Sequence, residues 1–371
     1  MKFREVIGQA TPKQILTGMI EGNRAPHALL LLGREGLGGI PMALAYIQYL
    51  LCEDKQGDGD ACGVCRACSK TSKFIHPDVH YSYPTVGTGK ISTDFITEWR
   101  KNIEKNPYQN VNQWLTTISG GENKQGNINK DECGSIMKKL SLKSFESKYK
   151  VLLMWLPEYL GKEGNRLLKL IEEPPDDTIF VLVAENQELI LNTILSRCQL
   201  VTLSPLSNEE IILALAEKMN ISTSQASAIA QIADGNFNEA LSLSQNSDND
   251  NALLFLEWMR KTYAINGPDI LQWTDKFAAA GREAQKYFFR YGLHFIRELM
   301  MYKVTNMTEK IRLQRIEMET LIKMSNVIQL EHIEPISKLF DEAILHIERN
   351  ANAKILLLDV SIRMNKILKN R

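Results

Sequence analysis

Two groups of residues in this 371-residue chain have the types and spacing to do chemistry. The first is a run from His27 to Ile40, H-A-L-L-L-L-G-R-E-G-L-G-G-I, in which a hydrophobic strand leads into the glycines of G-x-x-x-x-G-K-[S/T]. In a working phosphate-binding loop the backbone N–H groups cradle phosphates, the lysine reaches the β and γ phosphates, and the hydroxyl holds magnesium. Here Gly33, Gly36 and Gly38 keep the turn, but Gly39 stands for the lysine and Ile40 for the hydroxyl residue. Pro41 also lacks one of the N–H donors expected at the start of the following helix. The loop is therefore expected to keep a shape without its chemistry, and no ATP hydrolysis is expected from it.

The second group is Cys52, Cys62, Cys65 and Cys68, spaced C-x9-C-x2-C-x2-C. In a reducing compartment this spacing predicts a metal rather than disulfides, and four thiolates suit a closed tetrahedral structural zinc with no position left for a catalytic water. His76 and His80 lie nearby, but the sulfurs complete the shell, so surface or loop roles are expected for both. Cys133 shares a helical face with Ile136, Met137 and Leu140 after an Asn129…Glu132 pair that resembles a capping box, and reads as core.

Around these groups, short apolar runs alternate with helical stretches: Ala28 to Leu32, Val79 to Tyr83, Val151 to Trp155, Thr178 to Val183 and Leu200 to Leu203. That alternation predicts a parallel sheet covered on both faces. A long polar region from His76-Pro77 to Lys150 is expected to hold loops and one or two exposed helices. After Ser204-Pro205 the strand signals stop; Asn208 to Asn246 reads as small helices, Ser247 to Asp250 as a linker, and the remainder as apolar helices. The last of these has a stripe of Leu357, Val360, Met364 and Ile367.

Composition bounds the partners. Hydrophobic residues make up 44% and charged residues 24%, as in globular proteins, and the length predicts two or three domains. Lys+Arg and Asp+Glu both number 44, so the whole chain lacks the basic field of a stand-alone nucleic-acid binder. The mixed, polar stretch from Met1 to Ala10 predicts no signal sequence, no run of 18 apolar residues exists to span a membrane, and a cytosolic location is expected.

Taken in order, Val6-Ile7-Gly8-Gln9, His27-Ala28, the altered loop, the four cysteines, His76-Pro77-Asp78, the Leu167 to Pro175 run L-L-K-L-I-E-E-P-P and Ser196-Arg197-Cys198 resemble the clamp-loader branch of the AAA+ family. The resemblance covers residues 1 to about 245 by motif. It implies an AAA+ type α/β domain at 1–204 with a zinc module at about 52–68, a small helical lid at 205–246 and an all-α collar at 251–371. It further implies assembly with ATP-hydrolysing gamma/tau subunits and a delta subunit, and loading of a ring-shaped sliding clamp onto primer-template DNA. Where active relatives carry Asp-Glu at the end of a strand, this chain has Trp155 and Leu156; Glu158 remains nearby and is expected to be solvated. Asn238 stands where a second sensor would place an arginine.

The resemblance also gives Arg197 a role, that of an arginine finger reaching in trans to a neighbour's ATP; without it, the residue reads as a cation completing a helix C-terminus. Lys138, Lys139 and Lys169 fit either an exposed face or contacts to DNA phosphates. Two other functions fit parts of the pattern: an active ATPase with a variant loop, and a zinc-bearing nucleic-acid-binding protein outside any loader.

Overall fold

The computed structural model describes every residue except 56, 58, 122–123, 220, 246–249, 265–266, 309–310, 312, 314, 350 and 370–371. The linker expected at Ser247-Asp248-Asn249-Asp250 falls outside the described residues up to Asp250, which opens a helix. The chain forms two compact units, one of Met1–Ala214 with Asp234–Glu239, the other of Leu215–Ala233 with Ala240–Arg371.

The first unit is built on five strands, β1 Ala28–Leu32, β2 Val79–Ser82, β3 Lys150–Trp155, β4 Thr178–Ala184 and β5 Gln199–Thr202. They form one parallel sheet in the order β2-β3-β4-β1-β5, with Leu30 opposite Leu182 on one side and Leu200 on the other. After α1 Ala10–Glu21, which precedes the first strand, helices supply the crossovers that parallel strands need: α2 Gly39–Leu51, α3 Arg66–Ser72, α4 Ile96–Lys105, α5 Val111–Ser119, α6 Lys130–Ser141, α7 Leu168–Glu172 and α8 Asn192–Leu195. Side chains alternate along each strand, so one face buries Leu29, Leu31, Leu153, Val181 and Val183 with α2, and the other buries Leu30, Leu152, Met154, Phe180 and Leu182 with α6.

The polar region between β2 and β3 packs more deeply than its composition suggests. Trp99 and Ile103, four apart on α4, and the adjacent Trp114 and Leu115 on α5 are buried, so each helix packs one face into the core and leaves the other in solvent. Trp99 stacks on Tyr83 with ring centroids 4.1 Å apart, Trp114 meets Tyr83 edge-on at 5.1 Å, and its indole N–H donates to Pro84 O. Cys133, Ile136 and Leu140 are buried on α6 as expected, with Met137 at the exposed edge. Asn129 caps α6 by accepting from Asp131 N and Glu132 N, but Glu132 does not close a capping box: its carboxylate accepts from Ser92 N at 2.7 Å.

After α9 Asn208–Met219, the second unit comprises α10 Thr223–Ala233, most of α11 Phe237–Gln245, and then α12 Asp250–Ala264, α13 Gly267–Ala279, α14 Arg282–Thr305, α15 Arg315–Ser325, α16 Leu330–Glu348 and α17 Ala353–Leu368. Its core is aromatic, with Phe255, Trp258, Phe288, Phe289, Phe295 and Phe340 all buried. Gly292 allows α14 to approach closely; a Cβ there would lie 2.6 Å from the Phe255 ring and 2.8 Å from Phe340. The α17 stripe of Leu357, Val360 and Met364 packs into this core, and Ser361 and Asn365 pin the helix to α12 through Trp258 Nε1 and Thr262 O. Among the described residues, no helix is long and apolar enough to cross a membrane.

Candidate functional site: a covered phosphate loop, a cysteine cluster and a tethered arginine

The loop after β1 has the backbone that its glycines predict. Gly36 and Gly38 adopt positive φ of 74° and 95°, a region costly for residues with a Cβ, and Gly38 caps α2. What surrounds the loop is protein. Gly36, Leu37 and Gly38 are buried, and a Cβ at each glycine would strike a neighbour: Leu203 at 2.8 Å from Gly33, the Asn236 amide at 1.7 Å from Gly36, Tyr108 at 3.1 Å from Gly38 and Val183 at 2.7 Å from Gly39. Ile40, in the hydroxyl position, sits in the core against the sheet.

Three segments close over this loop. Phe237 N donates to Gly36 O at 3.0 Å, while Asn236 Nδ2 donates to Glu35 Oε1. Tyr108 packs edge-on against Phe237, and its hydroxyl accepts from Ile7 N at 2.9 Å. Gln9, of the Val-Ile-Gly-Gln motif, donates to Leu37 O and Ser204 O and accepts from Ser204 N, tying the loop to the exit of β5. Asn238, at the expected sensor position, accepts from Asn106 Nδ2 at 2.7 Å. Asn106 and Tyr108 come from the polar stretch to which the sequence assigned no role, and no motif marks them.

The acid positions are equally altered. Trp155 joins the Trp99 and Tyr83 aromatic cluster, with 5.4 Å between its ring and that of Trp99. Glu158 is not solvated as expected. Its Oε1 accepts from Glu185 N and Asn186 N beyond β4, while its Oε2 is buried without a hydrogen-bond partner. The bare N–H groups at the end of β4 draw the carboxylate inward, and burial pushes it up despite those donors. Burial, followed by the charges of Glu35 and Glu158, raises Glu185 to about 8. The surroundings of the loop thus carry three carboxylates and lack the lysine that would attract phosphate.

The four sulfurs of Cys52, Cys62, Cys65 and Cys68 lie within 4.8 Å of one another, and none is in a disulfide. A tetrahedral zinc with bonds of about 2.3 Å separates its sulfurs by about 3.8 Å; the Cys62 and Cys68 sulfurs stand 3.9 Å apart. Backbone N–H groups point at the sulfurs: Cys62 N at Cys52, Val64 N and Cys65 N at Cys62, and Cys68 N at Cys65. Burial opposes the Cys62 thiolate, but the Cys65 and Val64 donors outweigh it and bring this thiol to about 7; burial pushes Cys52 and Cys68 up. A divalent cation reverses such a penalty by replacing the proton. The donor set therefore fits a soft, four-coordinate metal.

His76 and Asp78 turn out to be structural and buried. Asp78 accepts backbone N–H groups from Phe145, Glu146 and Ser147, at 2.5, 2.9 and 2.9 Å, and so fixes the turn before β3. His76 Nδ1 accepts from Asp78 N, and its Nε2 lies 3.1 Å from Ser147 Oγ and 3.4 Å from the Glu146 carboxylate. His80 is half-buried, and Lys139 hydrogen-bonds Thr93; Lys138 and Lys169 are exposed.

Arg197 follows α8 and reaches back along it. Its Nη1 donates to Thr193 O at 2.8 Å and approaches Ser196 Oγ at 3.4 Å, as a helix-completing cation should. Its Nη2 lies 2.9 Å from Oε1 of Glu172, at the end of α7. Cys198 is partly buried, and burial pushes its thiol up to about 11, which leaves it inert.

A family model described as "DNA polymerase III, delta subunit" matches residues 8–207, more than half of the chain. The DNA polymerase III subunit delta' of Bacillus subtilis (strain 168) is 27% identical over 236 residues, covering 63% of this chain and 59% of its own length. The subunit of the same name from Escherichia coli (strain K12) is 24% identical over 233 residues, covering 62% of this chain and 58% of its own length. The DNA polymerase III subunit tau of Bacillus subtilis (strain 168) is 22% identical over 368 residues, 90% of this chain and 58% of its own length. The chain thus matches less than two thirds of the length of these curated relatives.

Proposed function

The chain belongs to the DNA polymerase III delta-subunit family of clamp-loader proteins, and from that premise we propose that it acts as a delta-prime type, non-hydrolysing stator of a bacterial clamp loader. The observation that supports this reading is the phosphate loop, where Asn236 and Tyr108 pack on the buried Gly36 and Gly38, Val183 packs on Gly39, and Gly39 stands in the lysine's place. Such a subunit contributes a fixed wall, while gamma/tau partners spend ATP and a delta partner shares the work of opening the sliding clamp for primer-template DNA. Its division into an AAA+ type domain at 1–204, a lid at 205–246 and a collar at 251–371 would serve these tasks, and the site of action would be the cytoplasm.

In this reading Cys52, Cys62, Cys65 and Cys68 hold one structural zinc, which cross-links a segment with little core of its own. Structural zinc contributes roughly 10–16 kcal/mol in small modules. Arg197 supplies an arginine finger to the ATP of a neighbouring subunit, stabilising charge on the transferred phosphoryl group, an effect of about 10³ to 10⁵ in rate where such fingers have been measured.

The test is equilibrium binding of labelled ATP to the purified chain with magnesium, with release of phosphate followed in parallel. Neither binding nor release is expected. Turnover by the isolated chain would make it a motor, and the stator reading would fall.

A further inference from the structure

Arg197 is held at both terminal nitrogens, and one of its holders is an acid. A guanidinium has five N–H donors; Nη1 is engaged with Thr193 O and Ser196 Oγ, and Nη2 with Glu172 Oε1 at 2.9 Å. The helix contact is local, lying within α8 and its cap. The Glu172 contact is not: it links α7 to α8, and its carboxylate is the same kind of ligand for the guanidinium fork as a phosphate.

The backbone that carries Glu172 is fixed, while its side chain is not. Ile171 anchors α7 in the core below the sheet, Glu173 N donates to Lys169 O, and Pro174-Pro175 stop the helix one residue beyond. Both partners remain accessible, with side-chain exposures of 31% for Arg197 and 54% for Glu172. An ion pair this open is weak enough to exchange one anion for another.

We propose that Glu172 is a latch on Arg197: it neutralises and parks the guanidinium in the free subunit, and the terminal phosphate of a nucleoside triphosphate on an adjoining subunit displaces it. Glu172 is on this account a positioning residue acting through Arg197. The latch rests on the reading of Arg197 as a finger, and it adds that the L-L-K-L-I-E-E-P-P segment governs how readily the finger is released.

The experiment reconstitutes the complete loader with clamp and primed DNA and measures kcat and KM for ATP with wild type, Glu172→Gln, Arg197→Ala, the double variant, and Glu173→Gln as a neighbouring-charge control. Thermal unfolding establishes that each variant is folded. Glu172→Gln is expected to raise kcat/KM about two- to five-fold, the scale of one exposed ion pair. That gain should vanish in the Arg197→Ala background, and Glu173→Gln should match wild type.

If Arg197→Ala leaves ATPase at the wild-type level, the finger and the latch both fall. If Arg197→Ala lowers it while Glu172→Gln stays at or below wild type, the finger stands and the latch alone is overturned. A gain shared by Glu173→Gln would also overturn it, since general charge and not this contact would then be responsible.

Discussion

At the scale of single residues, the phosphate loop has no room for the side chains of the motif. Val183 from β4 lies against Gly39, 2.7 Å from where a Cβ would be. Restoring the lysine therefore cannot restore the site. Gly39→Lys is expected to lower unfolding free energy by about 1–3 kcal/mol, the usual cost of overpacking, and to give no ATP affinity; urea titration and labelled-ATP binding check the two halves. The missing lysine, hydroxyl and acids were legible in the sequence because each is a residue type at a motif position. The covering residues were not. Asn106 and Tyr108 carry no motif, and Asn236, although part of the second-sensor run, is distant in sequence, so only the folded chain brings them to Gly36 and Gly38. For Arg197 the sequence supplied the helix-end contact, whereas the ion pair with Glu172 depends on how α7 and α8 meet.

At the scale of elements, the five strands were legible nearly to the residue: β1, β3 and β4 are the near-continuous apolar runs that burial on both faces demands, whereas the edge strand β5 buries only Val201. The depth of α4 and α5 is not legible in the sequence because polar residues surround their few large anchors, and one tryptophan on each suffices to draw a face of the helix into the core. Asp78 gives this scale a test. Burial alone would raise its carboxyl, but the N–H donors of Phe145, Glu146 and Ser147 outweigh that and hold it below the usual carboxylate value. A depressed folded pKa means that the stabilisation is complete above the unfolded value of 3.8 and disappears as the pH falls through the lower, folded one. Asp78→Asn should cost about 2–3 kcal/mol near neutrality, the scale of losing charge-assisted hydrogen bonds. Its difference from wild type should shrink below about pH 4. A pH-independent difference in urea midpoints would show that the charge contributes nothing.

At the scale of the whole molecule, the cysteine cluster belongs to the first unit, where Asp60 accepts from Phe3 N and Arg4 N and Lys2 donates to Cys62 O, joining the chain's opening residues to the cysteine loop. The second unit has its own aromatic core. Separate cores unfold as separate transitions when one is weakened. Purified protein is expected to contain one zinc, and a chelator should lower one thermal transition while leaving the helical unit's transition in place; a metal-free protein with an unchanged melting profile would exclude the structural zinc. The order of segments has one more consequence. Asp234–Glu239 leave the helical unit, lie on the loop of the sheet unit, and return. In a loop that waits for a nucleotide, closure depends on how much nucleotide the solution holds. Here the occupant is covalently attached, so its effective concentration is set by the polypeptide and dilution cannot remove it. On the proposed stator reading the ordering cost is met once, during folding, and the ratio of ATP to ADP in the cell has no bearing on the loop.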